Sequence, residues 1–446
     1  MASTKLLRSQ GTPTNNKIFT VSCWFKAAQV ANEMKLIYSD DNTTNNYTYI
    51  HFSDTSGRIR FQNRNSSSNN TELIWQNFIR DFSAWYHLVI AVDSTQATAS
   101  DRVKFYLNGV QQTTLDSGAN TFPPQNQSFT LNSSGYDVEI GAENSSAYFE
   151  GLMSYFAFVD GTAYDASYFG ETDSSSGIWK IKTAPSVTYG NNGFFLKMDT
   201  TSPGSDTSGN NNTFTATGTP TLTQDNASNN FPTINKTMQP MDYSNATLSD
   251  GATSSNSSGG DYTLVCSMGA NKGKWYWEVK LGNASNTRNI GVVRSDQLRI
   301  SGNSGGFYPG GNGNATNFTS AWNGSTGFVQ TNTAGTQVQV TSGVTNTTTG
   351  DIVGVALDLD GYTLKFYKNG TLDGTAALSS AWVENFVLPC ARADSGQTMY
   401  FNFGNGFFST TAVTSSNADA AGYGLFEYAV PTGYYTLCTK NLNTYG

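Results

Sequence analysis

Two stretches far apart in the chain repeat one pattern. YHLVIAVDSTQATASDRVKFYLNG (Tyr86–Gly109) and DIVGVALDLDGYTLKFYKNG (Asp351–Gly370) each run from an apolar segment ending in Asp, through a polar reversal, to a second apolar segment closing on Asn-Gly. β-Branched and aromatic residues favour extended backbone, and Asn-Gly supplies the two positive-φ positions of a type I′ turn, whose twist matches the flanking strands. Such hairpins commit a chain to antiparallel sheet, and their recurrence implies two halves built alike.

The rest of the sequence agrees. FTVSCWF (Phe19–Phe25), YTYIHF (Tyr47–Phe52) and RIRFQNR (Arg58–Arg64) are short and bounded by Asn, Asp, Gly and Ser, so they read as strands. Helical periodicity is scarce, with YDASYFGE (Tyr164–Glu171) the best candidate for a turn or two. At 446 residues the chain exceeds one core, which predicts an all-β protein of two domains. The expected bounds are residues 1–185 for the first, a polar linker with extended strands over 186–235, the second over 236–412, and an aromatic-rich C-terminal segment over 413–446 that packs rather than hangs free. Within the linker, YGNNGFFLKMD (Tyr189–Asp199) alternates enough to add a strand to a neighbouring sheet.

Charged residues make up 13% of the chain, about half the usual share, so Asn, Ser, Thr and Gly must form the surface. A neutral surface lets identical copies pack without strong repulsion, which points to a homo-oligomer. The net charge of −8 and the lack of a basic stripe argue against a nucleic-acid partner. Cys23, Cys266, Cys390 and Cys438 show no CxxC spacing and read as buried free thiols. MASTKLLRSQ carries no long apolar run after its charges, so synthesis in a cytoplasm without a signal peptide, and no membrane insertion, are expected.

GKWYWEV (Gly273–Val279), NIGVV (Asn289–Val293), GDIVGVALDLDGYTLKFYKNG (Gly350–Gly370) and VLPCARADSGQTMYFNFGNGFF (Val387–Phe408) resemble, in order and spacing, a SPRY domain. The resemblance implies a bent β-sandwich that binds partners through loops without catalysis. KIFTVSCWFKAA, WYHLVIAVD, KFYLNGV and VEIGAENSSAYFEGLMSYFAFVDGTAY resemble a laminin-G-like, concanavalin-type jelly roll. That resemblance implies two packed antiparallel sheets and a frequent role in carbohydrate or protein binding. The order of the two modules is similar to that in structural proteins of tailed bacteriophages, especially marine ones, which implies a virion surface location.

EIGAE (Glu139–Glu143) resembles the paired-carboxylate strand of concanavalin-fold glycoside hydrolases, with Gly141 where those enzymes carry a middle Asp. Two carboxylates at i and i+4 of a strand share a face, as an acid and a nucleophile require, but the missing Asp removes the group that tunes them. GNSGG (Gly302–Gly306) matches the nucleophile-elbow pattern around Ser304 but lacks the strand before and the helix after, and both histidines, His51 and His87, precede it. No catalytic residue is therefore assigned. Calcium is the one cofactor to weigh, with Asp40, Asp41, Asp54, Asp93 and Asp160 as candidates by position, and no metal residue is assigned. Trp275 and Trp277 alternate within a strand and are expected to face inward together. Phe307 and Tyr308, inside the glycine-rich SGNSGGFYPGGNGN, and Trp322, in TSAWNGSTG, are expected to form a contact surface for a ligand or partner.

The expected function is that of a non-enzymatic phage tail-fibre or adhesion protein binding a host surface carbohydrate or protein. Alternatives are a decoration protein stabilising the capsid shell and a polysaccharide depolymerase.

Overall fold

The structure is a computed structural model and describes residues 4–29, 33–41, 45–53, 55–66, 68–199, 202–235, 246–257, 262–283, 288–297, 318–324, 327–334, 336–342, 344–393 and 396–446. Both quoted hairpins form as their residues dictate. Asn108 and Gly109 have φ of 48° and 81°, and Asn369 and Gly370 have 46° and 80°. Each turn Asn also accepts a backbone N–H through its side chain, from His87 at 2.8 Å and from Ile352 at 2.9 Å, which pins the register of the strand it returns to.

The chain divides into Met1–Leu222 with Asn226–Ser228, and Thr223–Asp225 with Asn229–Gly446. In the first unit an eight-stranded sheet runs in the order Leu115–Thr121, Ser68–Phe78, Arg58–Asn65, Tyr47–Phe52, Lys35–Asp40, Asp137–Ile140, Lys5–Ser9, Thr215–Thr217. A six-stranded sheet runs Phe194–Leu196, Gly151–Asp160, Ile18–Ala27, Tyr86–Asp93, Val103–Leu107, Val110–Gln112. One core fills the space between them, with Phe25, Phe52, Ile50, Phe61, Ile90, Phe105 and Phe158 among its buried side chains.

The second unit repeats the architecture. An eight-stranded sheet is centred on Lys274–Leu281 and Ile352–Asp358, and a six-stranded sheet on Arg288–Arg294 and Phe318–Asn323. Trp275 and Trp277 are both fully buried, and so is Tyr276 between them in sequence. All four cysteines are buried and free, and burial pushes the Cys23 and Cys390 thiols upward.

One expectation needs correction. Residues 186–235 do not behave as a linker. Phe194–Leu196 adds to a neighbouring sheet as its alternation predicts, pairing with Gly151–Asp160, but Thr215–Thr217 also pairs with Lys5–Ser9, and Phe194, Leu196 and Phe214 enter the first core. Composition misleads here because the Asn, Ser and Asp side chains satisfy the backbone directly: Asp206 accepts the N–H groups of Phe195, Ser208 and Asn212, while Asn210 and Asn212 both donate to the Gly193 carbonyl.

The C-terminal segment packs, as expected. Tyr435–Thr436 lies parallel to Trp275–Tyr276, Phe426 meets Tyr276 edge-on at 5.1 Å, and Thr439–Tyr445 is the one α-helix among the described residues. The stretch Tyr164–Glu171 holds one helical turn, a 3₁₀ turn over Ala166–Tyr168, before the chain extends again at Gly170. No helix of the described residues is long and apolar enough to cross a membrane.

Candidate ligand-binding face

Successive residues of a strand face opposite sides, so the eight-stranded sheet of the first unit that buries Ile50, Phe61, Leu73 and Val138 must present their neighbours outward. Pairing aligns those neighbours into rows. One row is Asp137, Asp40, Tyr47, Arg64; the next is Glu139, Tyr38, Tyr49, Gln62, Glu72; a third is Lys35, His51, Arg60. Five adjacent strands thus place aromatic rings beside acids, amides and cations on one side of the sheet.

The rings stack. Tyr47 and Tyr49 lie 5.0 Å apart at 10°, and Tyr38 sits 6.4 Å from Tyr49. The Lys35 ammonium rests 4.4 Å over Tyr49, and the Arg64 guanidinium 5.9 Å from the Tyr47 ring. Tyr38 and Tyr49 are buried as a floor, while Tyr47 and Arg64 are half-buried and Asn144 is exposed. Polar anchors surround the rings: Tyr38 Oη donates to Asp40 at 2.9 Å, Asn144 Nδ2 donates to Asp40 at 3.1 Å, and Tyr49 Oη donates to Gln62. Burial, and then the adjacent Asp40, raise the Tyr38 phenol, so it stays a neutral donor.

The carboxylates of Glu139 and Glu143 do not form the strand-borne pair that the sequence suggested. The strand ends at Ile140, and Gly141 turns the chain at φ 85°. Glu139 is held by Lys5 at 2.5 Å and by the Asn144 N–H at 2.9 Å, whereas Glu143 sits in a bridge with Ser146 and pairs with Lys35 at 2.8 Å. Each acid is committed to its own lysine.

His87 lies in the other sheet and has a serine within reach, Ser22, at 2.9 Å from Nε2. The Trp179 indole N–H donates to Nδ1 at 3.0 Å, so the proton of the neutral ring is on Nε2 and points at the serine. A histidine that donates to the hydroxyl cannot act as its base. Burial pushes His87 down to about 3, and the ring is sandwiched between Trp24 at 4.6 Å and Trp179 at 5.9 Å. This group is structural.

The calcium candidates are not brought together. Asp160 spends both oxygens on the N–H groups of Thr14, Asn15 and Asn192 and the Asn132 amide. Asp93 accepts from Thr95 and Gln96, Asp41 accepts from Asn46, and Asp40 holds Tyr38 and Asn144. Carboxylates already bound by protein donors offer less to a cation. Asp54 lies outside the described residues, among which no group of three or more His, Cys, Asp or Glu could hold a metal.

In the second unit Ser304, Phe307 and Tyr308 lie outside the described residues. Trp322 does not belong to a contact surface: it is fully buried, and its indole donates to Asp373 at 3.0 Å. Its strand, Phe318–Asn323, is buried at every position, so the loop-like composition around it was a poor guide. The most deeply buried acid among this unit's described residues, Glu278, was not singled out in the sequence because nothing about KWYWEVK distinguishes a covered face from an open one.

Comparison with known proteins supports this architecture. Residues 3–166 match the concanavalin A-like lectin/glucanases superfamily in its laminin G form, and residues 274–406 match the SPRY domain. No curated protein matches the chain. Similar solved structures include the SPRY domain of human HERC1, at 18% identity over 35% of this chain and 91% of that one with a TM-score of 0.27. Stonustoxin matches at 18% identity over 36% of this chain and 25% of its own, with a TM-score of 0.28. The TRIM65 PSpry domain matches at 16% identity over 38% of this chain and 88% of its own, with a TM-score of 0.29. The chain is a laminin-G-like concanavalin fold followed by a SPRY domain.

Proposed function

We propose that this is a non-enzymatic surface protein of a bacteriophage virion, a tail-fibre or adhesion component, whose first unit binds a host surface glycan on the outward face of the eight-stranded sheet. The observation that carries the binding reading is the stack of Tyr38, Tyr47 and Tyr49 on neighbouring strands, bordered by Asp40, Asn144, Gln62 and Arg64. Flat rings suit the C–H faces of a sugar, and the flanking acid, amides and guanidinium suit its hydroxyls. A shallow site of this kind gains strength from repeated copies, which fits a neutral surface suited to close assembly. The virion assignment rests on the order of the two modules and on that composition. Phe307 and Tyr308 are proposed as a further contact for a ligand or neighbouring copy.

The test has two parts. Antibody against the second unit should label the tail or its fibres in electron micrographs of particles; label over the head would favour shell decoration, and none would remove the virion assignment. The intact chain should bind one or more members of a panel of bacterial surface polysaccharides. Tyr47→Ala should weaken that binding at least tenfold while the chain stays folded. Binding indifferent to Tyr47→Ala would move the site elsewhere.

A further inference from the structure

The two units follow one strand plan and part at one edge. In the first, Ile18–Ala27, Tyr86–Asp93, Val103–Leu107 and Val110–Gln112 run in that order to the edge of the six-stranded sheet. In the second, Lys274–Leu281, Ile352–Asp358, Thr363–Lys368 and Thr371–Ala377 run in the same order to the edge of the eight-stranded sheet. The other sheets correspond too: Lys35–Asp40, Tyr47–Phe52, Arg58–Asn65 and Ser68–Phe78 answer to Arg288–Arg294, Phe318–Asn323, Phe328–Thr333 and Thr336–Ser342. In the first unit the chain leaving Val110–Gln112 crosses over and adds Leu115–Thr121, antiparallel, to the edge of Ser68–Phe78. In the second unit the chain leaving Thr371–Ala377 enters the 3₁₀ turn Ser380–Glu384 instead, and no strand among the described residues covers the edge of Thr336–Ser342.

An edge strand carries unpaired N–H and C=O groups, and proteins usually blunt it with charge, Pro, shortness or a bulge. TQVQVTS is seven residues long and holds neither charge nor Pro. It is bulged against Phe328–Thr333 between Gln339 and Thr341, but Ser68–Phe78 is bulged against its own inner neighbour and still takes an added strand. Thr336, Val338 and Gln339 are exposed, Val338 by 52%, so successive residues, which point to opposite faces, are both open. On the adjacent edge, Thr371–Ala377, Leu372 is 53% exposed, and the one charged residue, Asp373, is spent on the Trp322 indole and the Thr345 hydroxyl.

We infer that Thr336–Ser342 is the interface with a second copy of this chain, the two strands pairing antiparallel about a two-fold axis at Val338. The run Gln337-Val338-Gln339 reads the same in both directions, as such an axis requires. It sets Val338 against Val338, Gln337 against Gln339 and Thr336 against Val340, so no like charges are opposed and the most exposed apolar residue of the strand meets its own copy. The added strand takes the place that Leu115–Thr121 holds in the first unit and joins two sheets into one across the dimer. A two-fold contact of this kind uses the same patch on both chains and closes at two copies. It lies wholly in the second unit and does not depend on the glycan reading.

Sedimentation equilibrium of the intact chain over about 1–100 μM tests this, with a reversible dimer expected. Val338→Lys sets like charges against each other on the axis and should weaken the dimer about tenfold or more, while the second unit of the monomer still unfolds at the parent temperature because the position is exposed. Val338→Cys should link two chains under mild oxidation, since opposed residues of antiparallel strands lie about 4.5–5.5 Å apart at Cα, within disulfide range. The four native cysteines are buried, so the parent chain should stay unlinked, and Thr217→Cys, on an exposed edge of the first unit, is the control for chance encounters. A monomer throughout that range would overturn the inference, and so would a trimer, whose three-fold axis cannot set a strand against its own copy. A dimer that withstands Val338→Lys and links no faster through Val338→Cys than through Thr217→Cys has its interface elsewhere and also overturns it. Tyr47→Ala leaves this dimer intact and Val338→Lys leaves the Tyr47 face intact, so the interface and the glycan reading fail separately.

Discussion

Glu278 Oε1 accepts the backbone N–H of Tyr428 at 2.9 Å, in the middle of the central strand of the second unit's larger sheet. The other oxygen takes the N–H of Glu427 at 3.0 Å and the Asn402 amide at 3.3 Å, and Tyr276 donates to Oε1 at 3.2 Å. One buried carboxylate thereby anchors the C-terminal segment, with Phe426 and Tyr434 packed beside Tyr276.

This anchor makes the second unit's stability depend on pH. Burial raises the Glu278 carboxyl from the ordinary 4.5 to about 7, against the pull of its four donors. The folded state therefore holds a proton that the unfolded chain has lost, and stability falls as pH rises from 4.5 to 7 and is level above that. Between pH 5 and 7.5 the loss is about 2 kcal/mol. His87 in the first unit has the opposite sign. Its folded value, about 3, lies below the ordinary 6.5, so the unfolded chain gains a proton first and stability falls as pH drops below 6.5, by about 2 kcal/mol at pH 5. His51 is lowered too and acts in the same direction. Calorimetry at pH 5 and 7.5 should show two endotherms moving in opposite directions. Glu278→Gln, which turns an amide N–H₂ toward two of the donors, should lower the second unit's endotherm and remove its response to pH. Endotherms that move together would contradict this account.

Much of the fold was legible because strand signals are local. Alternation, β-branching and Asn-Gly turns carry their own geometry, so Tyr86–Gly109 and Asp351–Gly370 formed as read. What depended on distant partners was not legible. Gly141 stands four residues before Ser145 in an ordinary-looking run, yet its turn separates Glu139 from Glu143. The candidate face is spread over Asp40, Tyr47, Arg64 and Glu139, and register alone brings them together. Trp322 looked like a loop residue because its neighbours are Ser, Asn and Gly, but the strands on either side cover it.

Trp322→Ala should therefore behave as a core deletion. The variant loses a fully buried ring and the indole donor to one Asp373 oxygen, while Thr345 still donates to the other at 2.7 Å, so a cost of about 3–5 kcal/mol is expected in urea unfolding. A stable Trp322→Ala chain with weakened ligand binding would restore the contact role.

Phe214 tests the reassignment of residues 186–235. It is buried against Phe194 at 4.7 Å in the first unit's core, although it sits in the polar run NNNTFTATG. Phe214→Ala should cost about 3 kcal/mol or more, confined to the first unit's transition. A linker residue would cost nothing measurable.

The two Asn-Gly turns share one more property, which predicts where substitution is least tolerated. A Cβ added at Gly109 would lie 2.4 Å from the Trp179 ring, and one at Gly370 would lie 2.6 Å from the Tyr428 ring. Both glycines also sit at positive φ, which costs a residue with a side chain about 1 kcal/mol before any clash. Gly109→Ala must push Trp179 off His87 and break its bond to Nδ1, while Gly370→Ala must push Tyr428 off the segment that Glu278 holds. Each should cost about 2–3 kcal/mol in thermal unfolding, and each in its own unit. Gly109→Ala should also perturb the Trp179 fluorescence spectrum, and pairing it with Trp179→Ala should recover the part of the loss due to the clash. If the double variant is no more stable than the sum of the two single losses implies, the glycine serves only its turn.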